Sequence, residues 1–173
     1  IGLLGLSAAT FRIRGVDGDL VPILEPRWTQ RTTPANLAPA ATLRTNTIAE
    51  PPTQAEFPQF LGPKRTGVLS GIDLDPDWSA PGPKLIWKQP IGAGWSGFVI
   101  AGNRGVTQEQ LGEQELVTCY DLVTGRQLWS HADTAHYQTV IAGEGPRATP
   151  AIFSNRVYAL GATGILNCLD LAT

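Results

Sequence analysis

The sequence predicts an all-β chain, read as an incomplete β-propeller with roughly two blades represented, on three observations. First, Trp95-Ser96-Gly97-Phe98-Val99-Ile100 falls on Arg147-Ala148-Thr149-Pro150-Ala151-Ile152 at a displacement of 52 residues, and Asn103-Arg104 falls on Asn155-Arg156. Second, Cys119-Tyr120-Asp121-Leu122 falls on Cys168-Leu169-Asp170-Leu171 at a displacement of 49, the difference being taken up by a longer hairpin in the first copy. Third, 19 Gly and 14 Pro are spread among short apolar runs, which favours turns and extended backbone over helices. A period of about 50 residues built from short β runs is the mark of a propeller blade.

Composition narrows the class. The chain has 173 residues, 42% hydrophobic and 16% charged, which suits a modest globular unit rather than a disordered one. Its formal charge of -2 gives no basis for nucleic-acid binding or for a polybasic membrane patch. The 2 Cys form neither CxxC nor CxxCH, so zinc and covalent haem are not indicated. Because Cys119 and Cys168 sit at equivalent repeat positions, both are expected as small buried strand residues. A disulfide between adjacent blades is the alternative, and the redox compartment stays open.

In chain order, residues 1–9 are uncharged and mostly apolar and are followed by Arg12 and Arg14. A membrane span needs roughly 20 such residues. Residues 1–11 are therefore expected to be the end of a membrane anchor, with a buried strand or a frayed apolar terminus as the alternative. Residues 12–56 read as a short strand followed by an extended Pro/Thr-rich linker. Alternation in Phe11-Arg12-Ile13-Arg14 gives the strand, Asp17-Gly18 a turn, and Pro22 and Pro26 argue against a helix. From residue 30 the apolar periodicity fades while Pro34, Pro39, Pro51 and Pro52 interrupt the chain, too poor in apolar content to form its own core.

Residues 57–173 form the propeller part. At its start, Phe57 and Phe60 can anchor a proline-restricted segment, and Gly62-Pro63 and Gly67 allow tight turns. Asp73, Asp75 and Asp77 alternate like the start of a calcium loop. The glycine and bidentate glutamate such a loop needs are replaced by Trp78 and Lys84, so a solvated loop is expected. Residues 84–88 read as a strand carrying Trp87. Strands are then expected near 96–101, 105–109, 116–121 and 126–130, with a polar hairpin at 110–115.

The strongest motif is Asp121-Leu122-Val123-Thr124-Gly125-Arg126-Gln127-Leu128-Trp129. Asp121 can cap the turn with its carboxylate, Thr124 can add a hydroxyl contact, and Gly125 can take left-handed geometry. Leu128 and Trp129 then face opposite sides of the next strand, leaving the indole to fill the space between blades. Asp170 opens the same turn in the second copy.

This Asp-x-x-Thr-Gly-x-x-x-Trp pattern, with the Phe57-Pro58-Gln59-Phe60-Leu61-Gly62-Pro63 segment, resembles bacterial propeller proteins with pyrroloquinoline-quinone-like repeats. The resemblance implies that residues 57–173 are the N-terminal part of such a propeller, that Phe57 and Phe60 belong to an edge brace, and that Trp87 is an outer-strand tryptophan. It further implies a glycine and a tryptophan strand to follow the turn at Asp170, and blades beyond those represented. Arg147 and Thr149 fall where a strand of that family approaches the central channel, which makes them, with Phe57 and Phe60, candidates for contact with a partner.

Two kinds of relative share these repeats. Quinone-dependent alcohol dehydrogenases gather a catalytic Asp, calcium ligands and commonly a vicinal cysteine pair from several blades. No Cys-Cys pair occurs here, and Asp121 and Asp170 belong to turns. Noncatalytic scaffolds, including the outer-membrane assembly lipoprotein group, need none of these. His131 and His136, spaced His-x4-His, are candidates for a metal pair but lie between blades without a third ligand. The expectation is a noncatalytic scaffold subunit of a membrane-associated complex on the periplasmic or another extracytoplasmic face. It carries no cofactor, and its partners are membrane-complex proteins and further blades. A fragment of a quinone-dependent oxidoreductase is the alternative.

Overall fold

The structure, a computed structural model, describes residues 10–17, 19–29, 56–71, 77–78, 82 and 84–173. The apolar run at 1–9, Gly18, the Pro/Thr-rich stretch at 30–55, and Asp73 and Asp75 lie outside the described residues. Every named element is a β-strand, in several small antiparallel sheets, and no closed sheet is formed among the described residues.

Strands β1 (Phe11–Val16) and β2 (Pro22–Pro26) form a hairpin in which Phe11 faces Pro26 and Val16 faces Pro22. Proline is tolerated at both ends of β2 because a two-stranded ribbon leaves one edge of each strand unpaired. Asp17 shapes the turn, its Oδ1 accepting the amides of Asp19 and Val21 at 2.9 Å each. Arg12 and Glu25 pair across the strands at 3.0 Å.

The first large sheet comprises β3 (Val99–Ala101), β4 (Arg104–Leu111), β5 (Gln114–Asp121) and β6 (Gln127–Thr134), in the order β3-β4-β5-β6. A small ribbon, β7 (Gln138–Thr139) and β8 (Gly143–Glu144), follows. The last sheet holds β9 (Ala151–Phe153), β10 (Arg156–Leu160) and β11 (Leu166–Asp170), in the order β11-β10-β9.

These two sheets repeat each other residue by residue. Val99↔Val106, Ile100↔Gly105 and Ala101↔Arg104 in the first become Ala151↔Tyr158, Ile152↔Val157 and Phe153↔Arg156 in the second. Arg104↔Asp121 and Val106↔Cys119 become Arg156↔Asp170 and Tyr158↔Cys168. The displacement of 52 for the first two strands and 49 for the third is thus also the pairing register.

Alternation of side chains divides each sheet into two faces. Val99, Val106, Cys119 and Trp129 lie in one cross-strand row of the first sheet and pack against Ile152, Val157, Ala159 and Leu171 of the second. These residues are buried, and each fully buried Val or Leu contributes about 1.5–3 kcal/mol. The core is therefore a seam between two sheets.

Three local expectations differ from the structure. Residues 84–88 form no strand, because Trp87 is held by its side chain rather than by backbone pairing. The polar hairpin at 110–115 shrinks to Gly112 and Glu113, with Gln110 and Glu115 buried inside paired strands. Cys168 is exposed, unlike its counterpart Cys119, because the second sheet covers the face carrying Cys119 and nothing described covers the face carrying Cys168.

Candidate functional site

The residues singled out by sequence fall into a chain of contacts that fasten one repeat to the next. Trp87 is half-buried, and its indole Nε1 donates to the carbonyl of Leu122 at 2.8 Å. The same ring lies over Gly125, where an added Cβ would come within 2.6 Å of Trp87 Cδ2 and Cε3. Gly125 has φ of 72°, so it meets two demands at once: left-handed backbone and room for an aromatic ring.

Asp121 controls that turn. Its Oδ1 accepts the Val123 amide at 3.0 Å, the Thr124 amide at 2.8 Å and the Thr124 hydroxyl at 2.9 Å, while Oδ2 accepts Asn103 Nδ2 at 2.9 Å. The Thr124 amide, then its hydroxyl and the Val123 amide, hold the Asp121 carboxyl below the usual carboxylate range. Asp170 is placed in the same way, accepting the Ala172 amide at 2.8 Å. The Leu122 and Leu171 amides both donate at 3.0 Å to the asparagine that opens their repeat's second strand region, Asn103 and Asn155 respectively.

Four side chains project from one face of the first sheet to the second repeat. Trp129 Nε1 donates to the Leu171 carbonyl at 3.1 Å. Gln108 Nε2 donates to the Ala148 carbonyl at 2.7 Å. Asn167 Nδ2 donates to Asp133 Oδ2 at 2.7 Å, and the Ala162 amide lies 3.2 and 3.0 Å from the two Glu115 carboxylate oxygens. Gln108 and Glu115, both buried, escaped the sequence reading. The unbroken polar runs 107–110 and 113–115 either side of Gly112 were the available signal, but such runs equally describe solvated backbone.

The opposite face of the first sheet is crossed by the segment from Trp87 to Gly92. The Gly92 amide donates to Glu109 Oε2, Tyr120 donates its hydroxyl to Glu109 Oε1 at 2.9 Å, and Ala93 exchanges both backbone bonds with Gln110. Burial, then the charge of Glu109 beside it, pushes the Tyr120 hydroxyl above its ordinary pKa. Tyr120 consequently stays a neutral donor, matched to a carboxylate that accepts from two sides.

Phe57 and Ile100 exchange backbone bonds of 3.1 and 2.8 Å, and the Ile152 amide donates to the Pro58 carbonyl at 2.7 Å. Since Ile100 and Ile152 are repeat equivalents, this short segment binds both sheets at the same position of each. Phe60 is 63% exposed and, with Thr149, lines a groove of about 290 Å³ also bordered by Gln59, Leu61 and Arg65. Thr149 accepts the Gly97 amide at 3.0 Å. Arg147 is directed elsewhere: its guanidinium carbon lies 5.1 Å from the Tyr137 ring centre, and Nη2 reaches Thr139 Oγ1 and the Ala142 carbonyl at 3.4 and 3.2 Å. The structure thus joins Phe60 and Thr149 in one groove and leaves Arg147 outside its lining.

His131 Nε2 lies 3.4 Å from Asp133, and His136 Nδ1 lies 3.0 Å from the Gly112 carbonyl. Among the described residues no three His, Cys, Asp or Glu side chains gather where a metal ion would be held. Among them, too, no helix is long and apolar enough to cross a membrane. Burial pushes the Cys119 thiol up to about 12, so it is an inert core group.

Fold and contacts together define an all-β protein of small antiparallel sheets joined face to face. No family model, curated protein or solved structure matches the chain.

Proposed function

We propose that this chain is the N-terminal part of a β-propeller with pyrroloquinoline-quinone-like repeats, serving as a noncatalytic scaffold subunit of a membrane-associated complex on the periplasmic or another extracytoplasmic face. The observation that carries this reading is the contact made twice. Trp87 donates to the Leu122 carbonyl and Trp129 to the Leu171 carbonyl, each indole reaching the residue that follows the turn aspartate of the next repeat. A contact that recurs at each step of a repeat is how radially or linearly stacked units are assembled.

The chemistry of the polar groups supports a scaffold. Asp121 is occupied by its own turn, Glu109 by Tyr120 and Gly92, and Glu115 by Ala162. These carboxylates are committed to holding backbone amides in place. Membrane attachment is the sequence-based part of the proposal and rests on the apolar residues 1–9.

Native mass spectrometry of the detergent-solubilised protein tests the reading. The expected result is a stable assembly with other polypeptides and no bound small cofactor. Stoichiometric quinone and calcium, with substrate-dependent dye reduction, would replace the scaffold with a quinone-dependent oxidoreductase.

A further inference from the structure

The β1–β2 hairpin carries its side chains the wrong way round for a ribbon surrounded by water. Cross-strand pairing sets Phe11 beside Pro26, Ile13 beside Leu24 and Val16 beside Pro22. The register shift between Ile13 and Gly15 takes up Arg14 as an extra residue, which returns Val16 to the side of Phe11 and Ile13. One face of the ribbon is therefore built from Phe11, Ile13, Val16, Pro22, Leu24 and Pro26, without a charged side chain. Trp28 extends that face, its ring centre 6.2 Å from that of Phe11. Phe11 is 40%, Ile13 46%, Leu24 60% and Trp28 69% exposed.

The other face carries the charge and meets the rest of the chain. Arg12 and Glu25 pair there at 3.0 Å, and both are half-buried. Gly15 shares this face, and a Cβ on it would lie 3.8 Å from the carbonyl oxygen of Val140, in the turn between β7 and β8. The hairpin thus turns its charged face inward and its apolar face outward. Water favours the reverse.

We infer that the outward face rests on a lipid bilayer, at the boundary between headgroups and acyl chains, as a membrane contact additional to the one proposed for residues 1–9. Chain continuity identifies this occupant. The uncharged, apolar residues 1–9 lead into Phe11 with only Thr10 between them, so a membrane that takes up that run lies at the end of the hairpin where Phe11 meets Trp28. Aromatic rings concentrate at this boundary, where the ring is covered by lipid and the indole N–H stays hydrated.

The chemistry of the face favours lipid over protein. Apart from the Trp28 indole it offers no hydrogen-bonding side chain, whereas protein interfaces carry directed hydrogen bonds across them. Acyl chains require none. Depth is limited by the backbone, because a two-stranded ribbon leaves one edge of each strand unpaired, and those amides and carbonyls need water or headgroups. The ribbon therefore lies flat on the bilayer and does not cross it.

This placement rests on the membrane attachment proposed above and on no other part of that reading. The test uses the full chain, detergent-solubilised and reconstituted into phosphatidylcholine vesicles that carry nitroxide groups on their acyl chains. Cys168→Ser removes the exposed thiol, and Leu24→Cys, Ile23→Cys or Val123→Cys introduces one site for the environment-sensitive fluorophore NBD. Leu24 lies on the outward face, Ile23 on the other face, and Val123 is 66% exposed on a turn of the first sheet. The expected result is a blue shift and the loss of most emission at Leu24, with little quenching at Ile23 and Val123.

A Leu24 probe left unquenched and unshifted in protein that floats with the vesicles would overturn the hairpin contact and leave membrane attachment standing. Protein left behind when the vesicles float would overturn both. Equal quenching at Ile23 and Leu24 would refute the assigned face. A blue shift at Leu24 without nitroxide quenching would replace lipid with a protein surface, such as a second copy of this chain.

Discussion

Trp129 reaches 3.1 Å across the seam between the two sheets to the carbonyl oxygen of Leu171, as Trp87 reaches 2.8 Å to that of Leu122. The acceptor in each case lies one residue past a turn aspartate whose carboxylate accepts local amides, Asp121 from Val123 and Thr124 and Asp170 from Ala172. A rigid turn therefore presents the carbonyl, and the indole supplies both apolar area and the single hydrogen bond needed to satisfy it. The energetic consequences of this coupling between turn and seam can be measured.

Trp129→Phe keeps a ring in the seam but removes the donor, leaving the Leu171 carbonyl without that bond. We expect a loss of about 1–3 kcal/mol, and about 3–5 kcal/mol for Trp129→Ala, which also opens a cavity. Urea unfolding of both variants measures the difference. Equal losses would mean that the hydrogen bond contributes nothing.

Gly125→Ala and Gly112→Ala separate backbone strain from crowding. Both glycines have positive φ, 72° and 58°, but a Cβ at Gly125 meets the Trp87 ring, whereas at Gly112 it meets nothing within 4 Å. The left-handed cost of about 1–2 kcal/mol applies to each. Gly125→Ala is expected to lose more, with a change in Trp87 fluorescence. Matching thermal shifts in the two variants would remove the aromatic contact from the account.

Asp121 makes stability depend on acid pH. Its folded-state pKa is depressed, so its contribution is fully present above its unfolded value, about 3.9, and is lost as pH falls through the folded value. In Asp121→Asn this component is missing, and the fall in stability below about pH 4 becomes shallower. Denaturation midpoints across that window give the comparison; parallel curves would refute it.

The cysteines provide a probe of the two faces. Cys168 is expected to accept one maleimide adduct in the native isolated chain, while Cys119, buried with its thiol pushed up to about 12, reacts only on unfolding. Intact-mass analysis distinguishes one native adduct from two. Rapid double labelling would show that the seam opens freely.

Glu115→Ala should cost about 1–3 kcal/mol because the Ala162 amide, held by two carboxylate oxygens, loses its acceptor. Glu113→Ala, on the exposed turn beside it, should cost at most about 0.5 kcal/mol. Chemical denaturation of the pair tests whether the buried carboxylate clasps the second repeat to the first.

Local chemistry made much of this legible in the chain itself. Repeated spacing located β3, β4 and β5 and their counterparts β9, β10 and β11, and Asp121, Thr124 and Gly125 announced a turn because capping carboxylate, hydroxyl and glycine act within a few residues of one another. Trp87 was legible as a residue with a role but not as one outside a strand. Its backbone is unpaired while its indole finds an acceptor 35 residues away.

The register of the repeat is readable along the chain, since pairing follows hydrophobic alternation and turn length, both written locally. Which face of each sheet is covered depends on how one sheet packs on the next. Cys119 and Cys168 occupy the same register position, yet one is core and the other surface; Glu115 falls in the expected polar hairpin and Gln108 is a polar residue of the strand before it, yet both are buried. Their partners lie 47 and 40 residues away, and burial is a property of what packs against a residue rather than of the residue alone.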